Sequence, residues 1–198
     1  MMMSRLKEAT RPRHEAVEAR LGLMRLTSTL EGYARSLRLF YGLHRAAEKG
    51  FSRVSGWDAV GIDPAERRKT PLLEADLARL GMVPAQVAGL PECPILPPID
   101  GLPSALGMMY VLEGSTLGGR HITRAVEANL GLRPGDGCSY FASYGDRVGA
   151  MWRAFGAAVD AYAADDEAVR DAVERSADAT FAAVDGWFTA PPAGPSRA

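Results

Sequence analysis

The sequence predicts an all-α fold, a single compact domain over residues 1–190 with about seven or eight helices. Nearly every periodic segment repeats its apolar residues at intervals of three and four, as the buried face of a helix requires, and no segment alternates in the manner of a strand. The chain has 198 residues, 47% of them hydrophobic, which is enough for a full core. Residues 191–198 are expected to form a disordered tail.

The first two helices are predicted from their capping residues and apolar spacing. Ser4 is a suitable N-cap for a helix ending near Leu21, and Pro12 is expected to kink or restart it. Ser28 or Thr29 can cap the second helix. Its predicted apolar face consists of Leu30, Tyr33, Leu37, Phe40, Tyr41, His44, Ala47 and Phe51.

The third helix has a start signal and a stop signal. In "TPLLEADLARLG", residues 70–81, Thr70 is placed as the cap, Pro71 at the first helical position and Gly81 as the terminator. The proline-rich residues 89–103 then predict a crossing loop.

A helix rich in glycine follows this loop. Asp100 is its predicted cap, and the helix is expected to run without interruption to about Leu130 and stop at Gly131. The remaining chain is predicted to contain a loop at 133–145 and two closing helices at 145–164 and 166–188.

Composition narrows the class of protein. The formal net charge of −1 does not indicate a nucleic-acid partner or an anionic membrane surface. The first residues lack the apolar stretch of a signal peptide, and no run is long enough to span a membrane, so we expect a cytoplasmic protein. Cys93 and Cys138 are far apart and are expected to be ordinary reduced thiols.

The three histidines show no zinc or di-iron pattern, since none belongs to an HExxH motif or a carboxylate–histidine cluster. His44 lies on an apolar face and is expected to be a core histidine with a hydrogen-bond partner. His121 is expected to be partly exposed.

His14 has more informative neighbours. Glu18 lies one helical turn further along, and Lys7 lies two turns back on nearly the same face, with Arg11 between them. An imidazole beside two cations suits a ligand that carries a metal and carboxylates, and Glu18 could orient the imidazole. The other interpretation is a surface helix with ordinary charge pairs, which this segment alone favours.

Gly114, Gly118 and Gly119, which we call the glycine strip, weaken their helix by about 1 kcal/mol each relative to alanine. One explanation is close packing against another helix. The other is the close approach of a flat ligand to bare backbone. Packing is the commoner explanation for such a strip, although the flanking Ser115 and Thr116 are consistent with a ligand.

Three segments together resemble the haem (heme) oxygenase family, in particular its bacterial branch. "LKEATRPRHEAVE" (6–18) resembles the opening of the family's proximal helix, and "YVLEGSTLGGRHI" (110–122) resembles the distal helix. "SYFASYGDRVGAMWRAF" (139–155) resembles the segment leading into the helix that supplies an arginine to a haem propionate. The three segments occur in the family's order and cover most of the chain.

The resemblance implies a haem sandwiched between the proximal and distal helices. His14 would be the axial ligand of the haem iron, with Glu18 behind it, and the glycine strip would lie against one haem face. The residues implied at the haem edge and pocket are Lys7, Arg11, Arg153 and Phe181. Animal members carry an aspartate where this chain has Ser115, so other groups must hold the distal water network.

The implied reaction converts haem, which is both cofactor and substrate, to biliverdin, carbon monoxide and ferrous iron. Electrons are expected from a separate reductase or ferredoxin, because the chain lacks a GxGxxG fingerprint and a cysteine cluster. The family's roles are iron acquisition and supply of biliverdin to a photoreceptor. Two alternatives remain at this stage, a haem-binding protein that stores or senses haem and a helical interaction protein without haem.

Overall fold

Helices form the regular structure of residues 1–22 and 28–189, the part of the chain that the computed structural model describes. Within these ranges the extended structure is limited to isolated β-bridges near Arg133. The all-α prediction is confirmed. The predicted tail, 191–198, lies outside the described residues.

The longest connections between the helices are residues 52–69 and 89–101. The helices are α1 (Met2–Leu21), α2 (Leu30–Phe51), α3 (Thr70–Arg79), α4 (Pro84–Ala88), α5 (Leu102–Ser115), α6 (Gly119–Leu130), α7 (Ser139–Ala142), α8 (Val148–Tyr162) and α9 (Glu167–Thr189). Short 3₁₀ turns occur at Trp57–Val60, Ala65–Arg67, Thr116–Gly118 and Gly145–Arg147.

The long final helix α9 packs along both α5 and α1. A Cβ atom on Gly107 of α5 would lie 2.2 Å from the carbonyl oxygen of Val173, so the backbones of α5 and α9 are in direct contact there. Ion pairs join α1 to α9, and they are Arg5 with Glu167, Asp171 and Glu174, Arg13 with Asp178, and Arg20 with Asp185. These ion pairs hold α1 against α9, and α9 in turn contacts α5.

Helix α1 begins at Met2, so the prediction that Ser4 caps it is wrong. The helix continues through Pro12, and Lys7, Arg11 and His14 therefore belong to one continuous helix. Thr29 caps α2 as predicted, because its hydroxyl accepts a hydrogen bond from the amide of Gly32 at 3.1 Å.

The predicted buried face of α2 is largely confirmed. Leu30 is the exception, with 55% of its surface exposed. It sits at the first helical position, before the helix meets the core. The other predicted residues, Tyr33, Leu37, Phe40, Tyr41, His44, Ala47 and Phe51, are buried.

The N-terminus of helix α3 is capped by a side chain from another helix. The Glu48 carboxylate of α2 accepts hydrogen bonds from the amides of Lys69 and Thr70 at 2.6 and 3.0 Å. The prediction that Thr70 is the cap is therefore wrong, and its buried hydroxyl has no hydrogen-bond partner within the described ranges. Gly81 adopts a left-handed φ of 91° just after the helix, as its predicted role as terminator requires.

The predicted uninterrupted helix from Asp100 to Leu130 is in fact two helices. Gly101, not Asp100, is the residue before α5, so the prediction that Asp100 is the cap is wrong. The Ser104 hydroxyl oxygen accepts hydrogen bonds from the amides of Asp100 and Gly101, just before the helix, at 3.1 Å. A 3₁₀ turn at Thr116–Gly118 separates α5 from α6. Helix α6 ends at Gly131, with φ 70°, as predicted.

The region between α6 and α8 also differs from its prediction. The predicted loop at 133–145 contains the short helix α7. The two predicted closing helices are confirmed as α8 and α9. Within the described ranges, no helix combines the length and the apolar character needed to cross a membrane.

Candidate functional site

His14 presents an exposed imidazole on α1, with 53% of its side chain accessible. Its Nε2 atom lies 3.7 Å from a carboxylate oxygen of Glu18. The edge of its ring faces Phe181 of α9, with the ring centroids 5.7 Å apart and the planes at 84°. The structure thus brings together His14, Glu18 and Phe181 and leaves the imidazole accessible to a ligand.

The cations predicted to surround this imidazole are exposed. Lys7 and Arg11 lie on the same stripe of α1 as His14, and Arg153 lies on α8. None of the three cations forms an ion pair with another described residue. By contrast, the arginines on the face of α1 toward α9 form ion pairs with carboxylates. Lys7, Arg11 and Arg153 therefore remain available to an anionic ligand.

A side-chain contact connects α1 to α5 next to these groups. Burial raises the pKa of the Tyr110 phenol, and a hydrogen bond with the Thr10 side chain acts in the opposite direction. His14 lies one turn beyond Thr10, and Gly114 lies one turn beyond Tyr110. His14 and Gly114 are therefore each one turn from the contact between α1 and α5.

The three glycines of the glycine strip have different surroundings. A Cβ atom on Gly119 would lie 2.2 Å from the carbonyl oxygen of Phe141, so this glycine permits close packing of α6 against α7. A Cβ on Gly118 would meet no atom within 4 Å, and one on Gly114 would make an ordinary contact of 3.6 Å with Trp152. Open backbone for a flat ligand is thus found at Gly118, and helix packing explains Gly119.

The hydroxyls beside the strip are oriented by the backbone. Ser115 donates to the carbonyl of Leu112 at 2.7 Å, and Thr116 donates to the carbonyl of Glu113 at 2.6 Å. Each hydroxyl proton is therefore committed, and the oxygens remain as acceptors. Both groups can accept hydrogen bonds from water at the break between α5 and α6.

A neutral polar chain lies behind Ser115. The buried Tyr140 hydroxyl lies 3.0 Å from Nε2 of His44, and it also interacts with the Ser115 side chain. Complete burial lowers the pKa of His44 to about 3, so this histidine is neutral at physiological pH. His44 is a core histidine with a hydrogen-bond partner, as predicted, and His121 is exposed.

A buried charged group next to the glycine strip was not predicted from the sequence. Glu113 is only 4% exposed, and its carboxylate contacts Arg67, Lys69 and Tyr144. We call these four residues the Glu113 cluster. One signal was available in the sequence, because Glu113 is an acid placed directly after the apolar pair Val111 and Leu112.

The site fits haem better than a metal ion bound by protein ligands alone. No group of three histidine, cysteine or carboxylate side chains within the described ranges could hold a metal. Haem supplies four ring nitrogens itself and needs one imidazole from the protein, which His14 offers. Exposed cations for the propionates and open backbone at Gly118 satisfy the other requirements.

Comparisons with known proteins give a consistent result. The family model "Heme oxygenase" matches residues 1–190. A protein of Xanthomonas campestris pv. campestris (strain 8004), named heme oxygenase, is 34% identical over 132 residues, which is 65% of this chain and 72% of that protein.

Two solved structures have the same fold. The NO- and CO-bound heme oxygenase of Neisseria meningitidis has a TM-score of 0.79 at 20% identity, over 98% of this chain and 94% of its own. The heme oxygenase of Leptospira interrogans has a TM-score of 0.72 at 18% identity, over 94% of this chain and 98% of its own. These two likenesses establish the helical architecture.

Proposed function

Because the chain belongs to the haem oxygenase family, we propose that it cleaves haem oxidatively to biliverdin, carbon monoxide and ferrous iron. One observation carries the proposal. His14 is a half-exposed imidazole with two neighbouring cations, Lys7 and Arg11, that pair with no acid in residues 1–22 and 28–189. A ligand that combines iron with two carboxylates suits this surface.

We assign His14 as the axial ligand of the haem iron. Glu18 is close enough to accept a hydrogen bond from the histidine after a small side-chain rotation, and such a contact fixes the imidazole orientation. Phe181 restricts the ring from the other side. These two neighbours already restrict the orientation of the imidazole, so the side chain loses less conformational entropy when it binds iron.

The cations and the distal backbone position the substrate. Lys7, Arg11 and Arg153 would contact the two propionates, and their exposure keeps each interaction modest and sensitive to salt. Gly118 leaves room for the haem plane, and Gly114 places its backbone beside Trp152. Ser115 and Thr116 would hold ordered water as hydrogen-bond acceptors.

Haem supplies the iron that activates oxygen and is itself the molecule oxidised. Electrons would come from a separate reductase or ferredoxin, since the sequence has no dinucleotide fingerprint and no cysteine cluster. We place the reaction in the cytoplasm, where it would serve either iron acquisition or the supply of biliverdin to a photoreceptor.

The test uses haemin and a matched pair of histidine variants. Wild-type protein should give a Soret band characteristic of histidine ligation, and this band should convert to biliverdin absorption when ascorbate or a reductase is added in air. His14→Ala should retain its helical circular dichroism, lose the histidine-ligated spectrum and lose turnover, and free imidazole should restore part of the activity. His121→Ala, which changes an exposed histidine of α6, should behave as wild type.

Two results would contradict the proposal. Full biliverdin production by His14→Ala would exclude His14 as the axial ligand. A stable Soret band in wild-type protein under reducing, aerobic conditions would indicate haem storage or sensing instead of cleavage.

A further inference from the structure

The Glu113 cluster is a charged group inside the protein, directly behind the glycine strip. Arg67 donates to one oxygen of the Glu113 carboxylate at 2.5 Å, and Tyr144 donates to the other at 2.8 Å. Lys69 contacts the second oxygen at 3.3 Å. The exposed side-chain fractions are 5% for Glu113, 8% for Arg67 and 2% for Lys69.

We propose that Glu113 is a positioning residue, whose carboxylate fixes the end of α5 and thereby sets where the segment Ser115–Gly118 lies relative to haem. This inference rests on the proposed haem oxygenase function. It concerns how the distal backbone is held, and it assigns a role to a residue that need not touch the substrate.

Two anchors lie on either side of the break between α5 and α6. Glu113 is held by its cluster before the break, and Gly119 rests on the Phe141 carbonyl after it. Ser115 and Leu117, which lie between the anchors, are exposed, and a side chain on Gly118 would meet no other atom within 4 Å. The segment is thus anchored at both ends, and the residues between the anchors are largely exposed to solvent.

The cluster connects distant parts of the chain. Its members come from the 3₁₀ turn Ala65–Arg67, from the residue before α3, from α5 and from the segment after α7. Lys69 completes its three donor positions with the carbonyl of Arg67 at 2.8 Å and the hydroxyl of Tyr144 at 2.7 Å. A movement of Glu113 would therefore disturb hydrogen bonds in several elements at once.

A second route leads from the cluster to the distal helix through aromatic rings. The Arg67 guanidinium lies 5.7 Å from the Phe155 ring centroid, and Phe155 stacks on Trp152 at 5.8 Å. Trp152 is the residue that a Cβ on Gly114 would contact. Arg67 thus contacts Glu113 directly and supports the side chain next to Gly114.

The Glu113 carboxylate is needed to balance the charges of two buried cations. Without it, Arg67 and Lys69 would be neighbouring cations in a buried site, and burial already lowers the pKa of Lys69 while Glu113 raises it. Glu113→Gln preserves the volume and one acceptor oxygen but removes the negative charge. This substitution should release the end of α5 without creating a cavity.

The experiment compares Glu113→Gln with Glu174→Gln, which weakens a surface ion-pair group of α9. In haem-free protein, amide hydrogen exchange in peptides covering residues 114–119 should be at least tenfold faster in Glu113→Gln and unchanged in Glu174→Gln. With haemin, Glu113→Gln should bind about tenfold more weakly, show an altered Soret band and give a mixture of biliverdin isomers. Wild-type exchange and wild-type haemin binding in Glu113→Gln would overturn the proposal.

A second variant distinguishes a local effect on α5 from general destabilisation of the fold. Tyr144→Phe removes the hydroxyl that donates to Glu113 and accepts from Lys69, but it keeps the charges, so the acceleration of exchange should be smaller and confined to the same peptides. Faster exchange throughout the chain in both cluster variants would show general destabilisation and overturn the proposal. The exchange measurement uses no haem, so a failure of wild-type protein to degrade haem would reject the proposed function without deciding the role of Glu113.

Discussion

Substituting alanine at Gly118 and at Gly119 should have opposite effects on stability. Both glycines have right-handed helical backbone angles, φ −76° and ψ −14° at Gly118 and φ −56° and ψ −37° at Gly119, so alanine fits either position without backbone strain. A Cβ at Gly119 would lie 2.2 Å from the Phe141 carbonyl oxygen, whereas a Cβ at Gly118 would meet nothing within 4 Å. The two substitutions therefore differ in packing alone.

The size of the difference follows from this geometry. Real Cβ contacts are not shorter than 3.0 Å, so α6 and the backbone at Phe141 must separate by about 0.8 Å in Gly119→Ala. Overpacking of this kind costs about 1–3 kcal/mol, and a rigid carbonyl places the cost near the upper end. Alanine regains about 1 kcal/mol in helix propensity, so the net loss for Gly119→Ala is about 2 kcal/mol. Gly118→Ala should be neutral or gain up to about 1 kcal/mol.

Thermal unfolding of the haem-free variants, followed by circular dichroism, measures these changes. For a chain of this length, a change of 1 kcal/mol moves Tm by about 2–4 °C. Gly119→Ala should therefore melt about 4–8 °C below wild type, and Gly118→Ala at or slightly above it. Gly118→Leu should also fold, but its side chain should occupy the haem position and reduce haemin affinity. Equal Tm values for Gly119→Ala and wild type would refute the packing role of Gly119.

Two further predictions concern Glu18 and His44. Glu18→Gln should preserve haem ligation by His14 and change haemin affinity or turnover by about tenfold, because Glu18 acts only through the imidazole. Haemin titration and biliverdin assays measure this change, and a change as large as that of His14→Ala would contradict the prediction. The folded pKa of His44, about 3, lies below its unfolded value of 6.5, so its contribution to stability is complete above pH 6.5 and is lost as the pH falls toward 3. Urea unfolding at pH 7 and pH 5 should show that wild type loses about 2 kcal/mol more than His44→Gln, and parallel losses would exclude this titration.

The sequence alone was sufficient for features that depend on near neighbours in the chain. The helical period of α2 predicted its buried face, because each residue's side of a helix is determined by spacing. Gly81 and Gly131 marked helix ends, since both adopt the left-handed conformation that glycine tolerates. His14 and Glu18 were placed together for the same reason, as residues four apart share a helix face.

The tertiary structure decided every feature in which partners come from distant segments. Glu48 replaces Thr70 as the cap of α3 from 22 residues away, and the glycine strip divides into an open Gly118 and a packed Gly119 only because α7 lies against α6. The Glu113 cluster joins Glu113 to residues that lie 31 to 46 positions away in the sequence. No local pattern specifies such contacts, because they depend on how the helices pack. The local conformational preference of a residue contributes less free energy than its burial and a hydrogen bond to a residue elsewhere in the chain.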